Sequence, residues 1–75
     1  MKQVNIQLNA PEDVIEFVRE AEKFEFNVEL KQGSAKIDGK SLLGVFSLGL
    51  AESLTVEYHG ENSEFANALK KFAVA

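Results

Sequence analysis

Few residues in this chain can do chemistry. It has no cysteine and a single histidine, His59. That excludes thiolate nucleophiles, thiolate-held metals, iron–sulfur clusters and disulfides. With no nucleophile and base arranged around it, one imidazole makes no catalytic constellation, so no enzymatic activity is expected. His59 sits at the end of an alternating run, where a lone histidine is simply solvated. Glu12, Asp13, Glu16 and Glu20 gather acid at one helix start. There they complement the positive end of the helix dipole or form a face that selects a basic partner. No neutral donors stand near them, so they suggest neither a metal nor a cofactor site. Ser41 precedes a short apolar helix as an N-cap. Ser47, inside that helix, reads as structural.

Charge narrows the partners. Twelve acidic and eight basic residues leave a net charge of −4. Nucleic acid and anionic membranes both call for a basic footprint, which is missing. No apolar run approaches the roughly 20 residues that span a bilayer. The opening MKQVNIQLNA alternates instead of forming an apolar signal core. A cytoplasmic protein of one domain, residues 1–75, is the expectation. At 8.3 kDa a folded monomer exposes roughly 4,600 Å².

The elements that position these groups follow from periodicity. Val4, Ile6 and Leu8 alternate with Asn5, Gln7 and Asn9, a half-buried strand. Asn9 and Glu12 are spaced as a capping box, and Pro11 is tolerated in a first helical turn. Val14, Phe17, Val18, Ala21 and Phe24 form an apolar stripe, which predicts a helix from Pro11 to Phe24. Phe26, Val28 and Leu30 alternate again. Gln32-Gly33-Ser34 is a hairpin turn, and Ala35 to Asp38 is the return strand. Asp38-Gly39 marks a turn. Ser41 then caps a helix over Leu42 to Leu50, with Gly49 as its stop. Leu54, Val56 and Tyr58 give a fourth strand. Gly60-Glu61-Asn62-Ser63 opens a last helix striped by Phe65, Ala68, Leu69 and Phe72. The order is βαββαβα. It predicts an α+β fold, a two-layer open-faced sandwich in which a four-stranded antiparallel sheet carries three helices on one face.

Lys40 to Ala51 is more apolar than core building demands. Leu42, Leu43, Val45, Phe46, Leu48, Leu50 and Ala51 crowd one short helix and its exit. Val45, Leu48 and Leu42 share one side of a 100° wheel, whereas Leu43 with Leu50, and Phe46, fall partly off it. Either both faces are buried, one on the sheet and one against a neighbouring helix, or some of these side chains reach solvent, and exposed apolar surface often marks a docking site.

The run K-S-L-L-G-V-F-S-L-G-L-A, Lys40 to Ala51, resembles the signature of the HPr family, the small phosphocarriers of the bacterial sugar phosphotransferase system. The order of elements and the length resemble that family too. HPr proteins carry a phosphohistidine at the start of the first helix, in a G-x-H-A-R-P-like motif. The resemblance sets Asn9-Ala10-Pro11-Glu12-Asp13 against it, counting back from Ala21-Glu22-Lys23. Ala10 then stands at the histidine position and Glu12 at the arginine position. Alanine accepts no phosphoryl group, and no histidine lies in residues 1–58. In such a fold the fourth strand runs antiparallel beside the first, which sends His59 to the pole opposite Ala10. The resemblance makes Ser41 the family's regulatory serine, the target of an ATP-dependent kinase in some bacteria. It also makes Leu42, Leu43 and Phe46 the docking patch for phosphotransferase enzymes and regulators. Phe46 departs from the methionine expected there, a larger and less adaptable anchor.

Three functions remain open at this point. The first is a regulatory or adaptor module that binds phosphotransferase-system enzymes or a transcription regulator without relaying phosphate. The second is a phosphocarrier with a non-standard acceptor. The third is a structural module that homodimerises through the apolar helix. A monomer is expected.

Overall fold

The first strand follows its alternation: β1 spans Lys2–Gln7, with Ile6 turned inward and fully buried. In the computed structural model, which describes residues 1–60 and 62–74, α1 covers Pro11–Glu22 and β2 Val28–Gln32. Next come β3 at Ala35–Asp38, α2 at Leu42–Ser47, β4 at Ser53–Tyr58 and α3 at Ser63–Leu69. The expected βαββαβα order is the one observed. The strands form one antiparallel sheet in the order β1-β4-β2-β3. Ile6, Val28, Leu30, Leu54, Val56 and Tyr58 from the sheet share one core with Val14, Phe17, Val18, Ala21, Val45, Leu48, Phe65 and Leu69 from the helical layer. The accessible surface of the folded chain is 4573 Å².

Several boundaries differ from the sequence reading, each for a local reason. α1 starts at Pro11, as expected, but that makes Ala10, not Asn9, the N-cap. Asp13, not Glu12, is therefore the third helical residue whose carboxylate turns back on the cap. The helix ends at Glu22 rather than Phe24. Phe24 leaves it and packs its ring 5.3 Å from Phe26 and 5.2 Å from Phe65. Phe26 precedes β2 and contacts Tyr58 at 5.7 Å. Asn62 caps α3, its side-chain oxygen accepting the Phe65 N–H at 3.0 Å; Glu61, within the expected opening turn, lies outside the described residues. Phe72 lies past the end of α3 but is still buried, edge-on to Phe17 at 6.0 Å. Its carbonyl accepts the Gln7 N–H at 3.0 Å, so residues 72–74 run along the outer edge of β1. Lys71 there pairs with Glu16 of α1.

The open face of the sheet is wet apart from Glu57, which is 4% exposed although its parity points away from the core. It stands in the central strand, in register with Gln3 on one side and Glu29 on the other. Burial by itself would raise its carboxyl. The Gln3 amide at 2.7 Å and the Lys31 ammonium at 3.3 Å outweigh that and hold it below the usual glutamate range. A carboxylate depressed in the native state stabilises the fold fully above its unfolded pKa, and that contribution is lost as pH falls through the native pKa. Urea midpoints are therefore expected to drop on acidification below the ordinary glutamate range, and Glu57→Gln to flatten that part of the curve. An unchanged acid slope in the variant would remove Glu57 from this role.

Candidate functional site

The short helix α2 begins where Asp38 reverses the chain. The Asp38 carboxylate accepts the Lys40 N–H at 3.0 Å, and its carbonyl accepts the Ser41 N–H at 3.1 Å. Ser41 is extended, with φ −98°, and its Oγ accepts the Gly44 N–H at 3.1 Å, the expected N-cap. Lys40 does not answer the hydroxyl; its ammonium donates to the Phe24 carbonyl at 2.6 Å. Ser47 is structural in the sense expected, its Oγ donating to the Gly44 carbonyl at 2.5 Å.

Gly44 brings α2 close to the sheet. A Cβ at this position would lie 2.7 Å from Ile37 Cγ2 and 3.1 Å from Ser41 Oγ. Gly44→Ala must push α2 off β3 or disturb the cap, at an expected cost of about 1–3 kcal/mol. Thermal melts of the variant check this, and an unchanged melt would show that α2 lies loosely on the sheet.

Val45 and Leu48 point into the core, as the wheel predicted. Leu42, placed with them on the wheel, is instead 42% exposed, since the first helical residue stands ahead of the packed turn. Leu43 is 84% exposed and Phe46 37%, and Leu50 is also exposed. All three residues expected in the docking patch thus reach the surface on one short helix.

The exit of α2 is held by contacts that sequence reasoning missed. α2 ends at Ser47, short of the expected Leu50, and Gly49 just beyond its C-cap takes φ +88°, the left-handed stop expected of it. Ala51 sits at φ +63°, a left-handed conformation costing a non-glycine residue on the order of 1 kcal/mol. Its N–H donates to the Leu8 carbonyl at 2.7 Å, and its carbonyl accepts the Gln7 side-chain amide at 3.0 Å. Gln32 donates to the Leu48 carbonyl at 3.0 Å. These contacts bring the end of α2 to the end of β1, beside the start of α1.

At that start Ala10 is a half-buried N-cap with no side-chain acceptor, and Glu12 is exposed. Asp13 Oδ2 accepts the N–H groups of Asn9 at 3.1 Å and Ala10 at 3.3 Å. His59 lies elsewhere. The β1–β4 register pairs Lys2 with Tyr58, so His59 follows at the opposite pole. It lines a shallow depression there with Met1, Glu29, Asp38 and Glu57. Among the described residues no group of acids and histidine has the arrangement of a metal site, and no helix is long and apolar enough to cross a membrane.

Known proteins share this fold. The protein-family model described as the PTS HPr component phosphorylation site matches residues 14–74. The match begins just past the start of α1. The crystal structure of HPr-C-His from Thermoanaerobacter tengcongensis superposes with a TM-score of 0.78 at 25% identity, over 95% of this chain and 89% of that one. A phosphocarrier protein HPr from Bacillus anthracis gives 0.73 at 23%, over 97% and 96%. The catabolite repression protein Crh of Bacillus subtilis, a domain-swapped dimer, gives 0.62 at 28%, over 88% and 76%.

Proposed function

This chain belongs to the HPr family of the phosphotransferase system, and on that premise we propose that it is a regulatory or adaptor module: it binds phosphotransferase-system or catabolite-control partners through α2 and carries out no histidine phosphoryl transfer. The observation that carries this reading is the pairing of an exposed Leu42–Leu43–Phe46 ridge with a neighbouring α1 start that has alanine at its cap. A phosphocarrier needs a nucleophilic side chain where its partners dock. Here the sole imidazole, His59, belongs to the pole opposite the start of α1. The likeness to Crh, named for catabolite repression, supports a regulatory role. On this reading the protein works in the cytoplasm, needs no metal or cofactor, and is not itself an enzyme.

Ser41 is the proposed regulatory phosphorylation site, served by an ATP-dependent serine kinase. Its Oγ already receives the Gly44 N–H. A phosphate there would keep an acceptor on that N–H and place its charge where the helix start favours it. The site directly precedes the ridge, so the modification would change the electrostatics of docking without unfolding α2.

Two measurements test the reading. In NMR titrations with the first phosphotransferase enzyme and with a catabolite-control regulator, resonances of residues 41–50 are expected to move. Intact mass after phosphoenolpyruvate and that first enzyme is expected to show no acid-labile gain of about 80 Da. Such a gain would make the protein a phosphocarrier with a non-standard acceptor. Silence around residues 41–50 with every partner would remove the docking role.

A second reading, homodimerisation through α2, draws on relatives solved as dimers: Crh and an HPr from Thermoanaerobacter tengcongensis. Sedimentation separates the two readings. A dimer that Phe46→Asp dissociates favours the second; a monomer at high concentration favours the adaptor.

A further inference from the structure

We infer that Asp13 is a second barrier to phosphoryl acceptance at the start of α1, separate from the missing histidine at position 10. The inference rests on the reading above that Ala10 occupies the family's acceptor position. A phosphoryl group at a helix start is held by backbone N–H donors, and here those donors are already committed. Asp13 Oδ2 takes the N–H groups of Asn9 and Ala10 at 3.1 and 3.3 Å. Pro11 has no N–H to give. The Asp13 N–H donates to the Ala10 carbonyl at 2.9 Å, and the Val14 N–H reaches the same oxygen at 3.4 Å. From Asn9 to Val14 this leaves the Glu12 N–H, on a residue that carries its own negative charge.

The protein thus seats its own carboxylate where an incoming oxyanion would look for donors. Glu12 and Asp13 both repel such a group through charge, but only Asp13 also occupies the hydrogen-bond donors. Restoring an imidazole at position 10 is therefore not enough to restore acceptance. The donors must be released as well.

The test avoids any docking partner, so its outcome is independent of whether α2 binds one. All variants carry His59→Gln, which leaves position 10 as the only imidazole site. Three proteins are compared: Ala10→His, Ala10→His with Asp13→Ala, and Ala10→His with Glu12→Gln. Each is incubated with phosphoramidate and followed by intact mass. The introduced imidazole nitrogen attacks phosphorus and the donor's P–N bond breaks. Ammonia leaves with that electron pair and takes up the imidazole proton as ammonium. Each transfer adds about 80 Da.

Releasing two N–H groups from a carboxylate is expected to accelerate phosphorylation of the Asp13→Ala protein about tenfold or more over Ala10→His alone. Glu12→Gln, which removes an equal charge but frees no donor, is expected to give less than about threefold. Asp13→Asn, which keeps the size of the side chain and loses its charge, serves if Asp13→Ala does not fold, and should still outpace Ala10→His alone. Equal rates for Ala10→His with and without Asp13→Ala would overturn the inference. So would equal gains from Glu12→Gln and Asp13→Ala, or no phosphorylation of any variant. A phosphoryl gain by the unmodified protein from phosphoenolpyruvate would instead sink the adaptor reading.

Discussion

Phe65→Ala is expected to leave much of the protein unfolded at physiological temperature. Phe65 is completely buried on α3, and its ring lies 4.9 Å from Tyr58, 5.2 Å from Phe24 and 5.5 Å from Phe26. These three neighbours come from the central strand and from the link between α1 and β2, so one ring ties three segments together. Truncating a buried phenylalanine costs about 3–5 kcal/mol in lost transfer energy and cavity. A domain of 75 residues holds roughly 4–11 kcal/mol in total. The loss is thus a large share of all the stability the fold has. Phe24→Ala, at a half-buried ring outside any helix, should cost clearly less. Urea unfolding followed by the emission of Tyr58, the only tyrosine in a chain without tryptophan, reads both variants. A Phe65→Ala loss below about 1 kcal/mol would mean that the core collapses around the gap.

That aromatic cluster also shows where the sequence stops being informative. The stripe of α1 and the alternation of β1 and β4 are local periodicities, so their existence, order and fold class could be read directly. The end of α1 could not. Phe24 fits the helical stripe, yet it lies beyond the end of α1 with its ring against Phe26 and Phe65. Burial of Glu57 is equally hidden. Its parity places it outward, and its cover comes from Gln3, 54 positions away, and from Lys31. The cap of α1 was within reach: taking Pro11 as the first helical residue moves the cap to Ala10 and brings Asp13 into place. At the candidate site, the wheel shows that Leu43 and Phe46 leave the core side, and the topology sends His59 to the far pole. Left-handed Ala51 and the glutamine contacts from Gln7 and Gln32 have no periodic signal, because they depend on strands brought together only by folding.

Leu43→Glu is expected to separate docking from stability. In the free protein Leu43 has little to lose, being 84% exposed. Glutamate is a good helix former, and at the second residue of α2 its charge suits the dipole. The melting temperature should stay within the scatter of ordinary surface substitutions, about 0.5 kcal/mol. In a complex the same position would be enclosed by the partner, and a carboxylate there must be desolvated with nothing to pair it. Central apolar anchors cost at least about 2 kcal/mol when lost, which weakens binding roughly thirtyfold or more. Phe46→Ala is the contrasting case. That ring is only 37% exposed, so it packs against its own fold as well as facing outward, and both affinity and stability should fall. Calorimetric titration of each variant against the partner that moves residues 41–50, set beside thermal melts, gives the comparison. Affinity lost in Leu43→Glu at constant melting temperature assigns the ridge to recognition. Affinity kept would show that Leu43 lies outside the docking contact, and the acidic start of α1 would then be the face to examine.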